Sequence, residues 1–242
     1  LPRGVLDVVN GRGPEVGEAI GRHSGTKAIS FTGSSAVGRR IAGITGPMLK
    51  KTSLELGGKN ATLVFADSDW RKHLDTLVRS TFQNSGQICL CGSRLLVERS
   101  IYDEFRDAFI ERVQALRIGN PMQVGVQFGP LVSQAQFDKV LACIQRAREE
   151  GGSVLCGGDA IDRPGWFIAP TVIDGLGPEC ATNREEIFGP VVTLQAFDSD
   201  DDALALANAS DYGLSATLFT NDLSRAHRLA AREPVHEITD VR

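Results

Sequence analysis

The chain has 242 residues, a formal net charge of −4 and 42% hydrophobic residues, enough apolar content for one large core or two modest ones. Acidic and basic residues are interspersed, and no Lys/Arg run marks a nucleic-acid or membrane footprint. No apolar run approaches the ~18 residues that a membrane span needs.

The opening LPRGVLDVVNGRGPEVGEA lacks the basic-then-apolar order of a secretory signal. VLDVV (5–9) is a short apolar run before the turn signal NGRG and predicts a strand. PEVGEAIGRH predicts a short helix with Pro near its start. AISF (28–31) predicts a second strand, followed by a turn and the helix of TGSSAVGRRIAGITGPMLKK. SLEL (53–56) and ATLVF (61–65) read as strands separated by the loop GGKN. Asp69 stands where it would cap a long helix running from 69 to 86 into the cysteine segment.

RLLVE (94–98) predicts a strand, and Phe105, Phe109, Ile110 and Val113 recur at helical spacing in the segment after it. A Gly/Pro-bearing stretch leads to the helix QAQFDKVLACIQRAREEG, then to strand candidates at 152–158 and 170–175. VVTLQAF, DDALALANAS and SATLFT read as strand, helix and strand, and LSRAHRLAAR as a last helix. Strands alternating with helices throughout define an α/β protein with largely parallel sheets. GGKN (57–60) is the best boundary, dividing the chain into 1–57 and 58–242.

Three features carry chemistry. The turn FTGSSAVG puts Gly33, Ser34 and Gly38 between a strand and a helix, where free amides and the positive helix end form an anion site. Glu55 lies in a short apolar strand: either a surface acid at a strand end or, if buried, a general base with a raised pKa. FQNSGQICLCGS (82–93) places Cys89 and Cys91 behind a Gly-Gln turn, either as inert packing residues or where unpaired backbone N–H groups would serve a developing oxyanion. If extended, the two cysteines point to the same side. Cys143, Cys156 and Cys180 read as small packing residues. An odd cysteine count without a CxxC pair argues against a disulfide framework and a zinc ribbon, and for a reducing, cytoplasmic setting. The four histidines have no metal-ligand spacing, so no metal is expected.

Taken together, LELGGKNA (54–61) and FQNSGQICLCGS (82–93), with FTGSSAVG (31–38) and EEIFGPVV (185–192), resemble the aldehyde dehydrogenase superfamily. The segments at 119–140 and 165–173 are also similar, and the resemblance covers about residues 1 to 232. It implies the second part of a Rossmann-like coenzyme domain, followed by an α/β catalytic domain. It also implies a nucleophile at Cys89 and a water-activating base at Glu55. Gly33, Ser34, Gly38 and Leu56 fall at the coenzyme turn. Glu186 falls where the nicotinamide ribose is held, with Phe188 packing beside it and Gln136 and Lys139 nearby. The cofactor implied is NAD or NADP, and the substrate a small-molecule aldehyde oxidised to its carboxylic acid. Cys91 falls where a small residue is usual, and is hypothesised to pair reversibly with Cys89 under oxidation.

The resemblance also implies that the family's oxyanion Asn and its earlier coenzyme strands lie upstream of Leu1, leaving sheet edges and apolar surface exposed. A homo-oligomer would follow only with the family's remaining pairing strands. EPVHEITDVR (233–242) is unlike the family, and His236, Glu237 and Asp240 are not read as catalytic. The alternative reading is an inactive truncated fragment acting as an interaction module. A thiol hydrolase using Cys89 alone ranks last, because no His lies within the motif.

Overall fold

A computed structural model describes residues 1–232 and 237–240. It divides into two compact units, Leu1–Gly57 and Gly58–Arg242.

In the first unit, a turn of π-helix at Gly13–Gly17 leads into α1 (Glu18–Arg22). Strand β1 (Ala28–Thr32) feeds α2 (Ser35–Thr45), and β2 (Lys51–Glu55) returns parallel to β1, with Thr32 opposite Glu55. The strand predicted at 5–9 does not form. Val5, Leu6, Val8 and Val9 are exposed, and no described strand pairs with them. An isolated apolar run gains neither ladder hydrogen bonds nor a covered face, so propensity alone does not hold it extended. A second apolar surface of this unit is a hollow of about 340 Å³, lined by Ile20, Ile29, Phe31, Val37, Ile41 and Ile44 among others. The exposed apolar surface expected from the sequence is therefore present.

The second unit is built on a seven-stranded sheet in the order β5-β6-β7-β4-β3-β8-β9. Its strands are β3 (Ala61–Val64), β4 (Arg94–Glu98), β5 (Ser153–Cys156), β6 (Thr171–Asp174), β7 (Val191–Phe197), β8 (Ser215–Phe219) and β9 (Glu237–Asp240). All pairs are parallel except β5 with β6. β3 and β4 are central and buried almost throughout, as parallel strands covered on both faces must be. Helices α3 (Trp70–Phe82) and α4 (Tyr102–Gln114) share one core with Val64, Leu95 and Val97. After the single helical turn α6 (Ala181–Arg184), α7 (Asp200–Ala207) and α8 (Leu223–Ala230) pack on the opposite face with Leu63, Phe65 and Leu96. A third cluster joins α5 (Gln134–Glu149) to Ile173 and Val191.

Two local expectations change. Asp69 occupies the N-cap position of α3 but makes no side-chain cap hydrogen bond. The helix stops at Phe82 rather than 86, because Asn84, Ser85 and Gly86 all take left-handed backbone angles, with φ of 51°, 58° and 70°. The tail, read as foreign to the family, contributes β9, whose backbone adds to the edge of β8. His236 lies outside the described residues.

Candidate active site

The left-handed run at 84–86 delivers the cysteine segment. Left-handed geometry in non-glycine residues is strained and persists only where the surroundings hold it. Here they do. Asn84 and Gln87 bond reciprocally, Nδ2 to the Gln87 carbonyl at 3.1 Å and Nε2 to the Asn84 carbonyl at 3.2 Å. Ser85 is buried and its hydroxyl donates to the Gly129 carbonyl at 2.8 Å. Gln87 Oε1 accepts from the Val132 amide at 3.0 Å. Gly86 packs so closely that a Cβ there would collide with the Gly189 carbonyl.

The chain then turns once more. The Cys91 amide donates to the Ile88 carbonyl at 3.0 Å, which makes Cys89 and Leu90 the corner residues of a β-turn. Cys89 is half-buried, and the amides of Cys89 and Leu90 have no hydrogen-bond partner among the described residues. The segment is a turn, not an extended run, and Cys89 remains near enough to act on the Cys91 thiol electrostatically. Cys91 is 8% exposed, its sulfur directed at the Gln83 carbonyl 3.9 Å away, and burial pushes its thiol up to about 11. All five cysteines are free thiols; Cys143, Cys156 and Cys180 are half-buried against the core clusters.

The carboxylate region forms on the other side of Gly86. Glu186 Oε1 accepts from the Gly58 amide at 3.1 Å. Gln136 Nε2 donates to the carbonyls of Ile187 and Phe188 at 3.1 and 2.7 Å, and Lys139 Nζ to the Glu186 carbonyl at 3.1 Å. Gln136 and Lys139 thus hold the 186–188 backbone from α5. Phe188 has φ of 57°, a further strained residue at the same place. Gly58, Gly86, Ile88, Glu186 and Phe188 line one small crevice.

In the first unit, Ser34 caps α2 through its hydroxyl, which accepts from the Val37 amide at 3.4 Å, while the Gly38 amide reaches the Ser34 carbonyl at 3.0 Å. Among the described residues, the amides of Ser35 and Ala36 at the helix N-terminus have no hydrogen-bond partner, as an anion-binding turn requires. The Gly33 amide donates to the Glu55 carbonyl at 3.0 Å, and Gly38 packs against Leu56 so tightly that a Cβ would strike its side chain. Gly33, Ser34, Gly38 and Leu56 are therefore one local cluster. Glu55 is exposed at the end of β2. Among the described residues, no group of three His, Cys, Asp or Glu is placed to hold a metal, and no helix is long and apolar enough to cross a membrane.

Two buried residues of the second unit have no counterpart in the sequence reading. Asn60 is 4% exposed and bonds to both Cys89 and Cys91 through their carbonyls, at 2.6 and 3.0 Å. Lys59 is 1% exposed with no hydrogen-bond partner for its Nζ, and burial, reinforced by the Arg94 cation, lowers its pKa to about 7. Both lie inside LELGGKNA. The signal available was an Asn and a Lys directly before a short, mostly apolar strand.

The second unit thus carries its cysteine turn behind a left-handed run on a largely parallel α/β sheet, and the first unit carries a capped strand–helix turn. The sequence model of the aldehyde dehydrogenase family matches residues 1–236, and the chain belongs to that family. It is 45% identical over 237 residues to a 2-aminomuconic 6-semialdehyde dehydrogenase of a Pseudomonas species, covering 95% of this chain and 48% of that protein. It is 41% identical to the human 2-aminomuconic semialdehyde dehydrogenase, covering 96% and 49%. Among solved structures, betaine aldehyde dehydrogenase of Staphylococcus aureus in complex with NAD+ superposes with a TM-score of 0.96 at 34% identity, over 99% of this chain and 49% of that one. The chain spans about half the length of the curated relatives it matches.

Proposed function

We propose that this chain carries the cysteine chemistry of an NAD(P)-dependent oxidation of an aldehyde to a carboxylic acid. The observation that carries the reading is the Cys89 turn, a half-buried thiol at a turn corner that follows the left-handed run 84–86, with amides beside it that have no partner among the described residues. The relatives named above support the substrate class, and the NAD+ complex supports the coenzyme.

The Cys89 thiolate attacks the aldehyde carbon, forming a C–S bond and a thiohemiacetal oxyanion, with the free Cys89 and Leu90 amides as the donors nearest that oxygen. Loss of hydride from carbon leaves a thioester on Cys89. The nicotinamide coenzyme, when bound, supplies the hydride acceptor. A water deprotonated by Glu55 then attacks the acyl carbon, and the C–S bond breaks to release the acid and the thiol. Gly33, Ser34, Gly38 and Leu56 would hold the pyrophosphate region in the first unit, the C-terminal part of a coenzyme domain. Glu186 and Phe188 would meet the nicotinamide ribose, with Gln136 and Lys139 fixing the loop that carries them. The free thiols fit a reducing, cytoplasmic setting.

Absorbance at the NAD(P)H band, with NAD+ or NADP+ and a panel of aldehydes, tests this reading against Cys89→Ala. A rise that disappears in the variant supports it. A flat trace from folded protein favours the second reading, in which this portion is inactive alone and serves as an interaction module. That reading has its own support in the exposed Val5, Leu6, Val8 and Val9 and in the half-length match.

A further inference from the structure

We propose that Asn60 is a positioning residue for Cys89, and that its side-chain amide sets the reactivity of that thiol by clamping the turn from behind. The proposal rests on the reading of Cys89 as the nucleophile. Asn60 Nδ2 has two hydrogens, and both are used on the same turn: one on the Cys89 carbonyl at 2.6 Å, the other on the Cys91 carbonyl at 3.0 Å. Its Oδ1 accepts from the Ser215 amide at 3.2 Å, which ties the clamp to β8. Its own carbonyl accepts from the Arg94 amide at 3.2 Å, where β4 begins beside β3. The amide is therefore fixed on a buried sheet and reaches across to the loop that carries the chemistry.

The neighbouring sequence makes room for this contact. A Cβ at Gly58 would lie 2.6 Å from Asn60 Oδ1 and 2.9 Å from the Cys89 carbonyl oxygen, so only glycine lets the two meet. The Asn60 bond to the Cys89 carbonyl sets the 89–90 peptide plane, which carries the Leu90 amide, and the Cys91 amide bond to the Ile88 carbonyl sets the 88–89 plane, which carries the Cys89 amide. The unpaired Cys89 and Leu90 amides are then kept in one orientation for the thiolate and for an oxyanion. A side group placed on a rigid element and locked by further hydrogen bonds is the arrangement that holds a reacting atom within tight limits.

Asn60→Asp keeps the shape of the side chain and replaces the two donor hydrogens by an oxygen facing two carbonyl oxygens. The full chain and this variant are treated with iodoacetamide under native conditions, and the alkylation rate of each cysteine is followed by peptide mass mapping. Cys89 is expected to react about tenfold more slowly in Asn60→Asp, while Cys143, Cys156 and Cys180 keep their rates. Asn60→Ser, which retains one donor, is expected to recover part of the loss, and it provides the comparison if the Asp variant does not fold. A Cys89 rate in the folded variants that is unchanged, faster, or reduced in step with the other cysteines overturns the proposal. Where the wild type also turns over aldehyde, kcat should fall with KM for the coenzyme unchanged. A wild type without turnover counts against the proposed activity alone, because the alkylation rates still decide the role of Asn60.

Discussion

Replacing Lys59 by Met should stabilise the second unit, and by an amount that depends on pH. The Lys59 Nζ is fully buried and without a hydrogen-bond partner. It is faced by Arg94 from β4, Cys143 and Arg146 from α5, and Glu186 from the loop before β7. Burial dominates and the Arg94 charge adds to it; Cys143 and Glu186 pull the other way. In the folded chain the amine titrates at about 7, against 10.5 in the absence of these surroundings. Between those values the unfolded chain holds a proton that the folded chain has released, so stability rises with pH across this window. Below it both states are charged, and the burden on the folded state is on the order of 5 kcal/mol. At pH 9 it falls to about 2 kcal/mol. Met has a similar length and no charge, so Lys59→Met should exceed the wild type by several kcal/mol at pH 6. The gap should narrow by roughly 2–3 kcal/mol at pH 9. Urea unfolding followed by tryptophan fluorescence measures it, because Trp70 and Trp166 both belong to the second unit. A gap that does not change with pH, or a variant less stable than wild type at pH 6, would refute the reasoning and show that the ammonium is compensated.

Other substitutions test separate parts of the argument. On the proposed reading, in which Glu55 activates the hydrolytic water, Glu55→Gln should give about one equivalent of NAD(P)H per chain and then turn over on the order of 10²-fold more slowly; stopped-flow absorbance shows whether that burst occurs. Gly86→Ala places a Cβ on the Gly189 carbonyl at a left-handed position and should lower stability by more than about 2 kcal/mol in chemical denaturation. Arg94, 2% exposed, donates to the carbonyls of Lys59, Leu206 and Ala207 and so caps the end of α7. Arg94→Leu removes all three of these bonds, leaving the Leu206 carbonyl only backbone donors, and should cost about 3–5 kcal/mol by the same measurement. Burial alone would raise the Glu150 carboxyl, but the Thr182 hydroxyl and the amides of Thr182 and Ala181 hold it below its ordinary value. Its contribution is present above pH 4.5 and lost as pH falls through the lower folded value, so Glu150→Gln should flatten stability in that acid range.

The amino-acid sequence by itself determined the elements whose signal is local. Helix α4 follows from Phe105, Phe109 and Val113 on one face, and all three are buried. Ser34, placed by the sequence in the turn between strand and helix, lies there and caps α2. The glutamate and cysteine motifs, long and correctly spaced, gave the family before any geometry was known.

Tertiary structure decided whatever depends on a partner distant in the chain. VLDVV has strand propensity but no neighbour to bond, and stays out of any ladder. Glu55 has an apolar sequence context yet lies exposed, because burial is a property of what covers a strand and not of its composition. Gln136 and Lys139 turned out to grip the 186–188 backbone, a contact set by where α5 packs. The left-handed stretch at 84–86 ended α3 early because Gly129, Val132 and Gly189 hold it there, overriding a continuous helical pattern. Asn60 is the clearest case. Its letter was visible in LELGGKNA, but an amide acquires a role only from the groups it reaches, and those lie 29 and 31 residues further along the chain. Periodicity and motif spacing survive in one dimension; hydrogen-bond partnership and burial exist only in three.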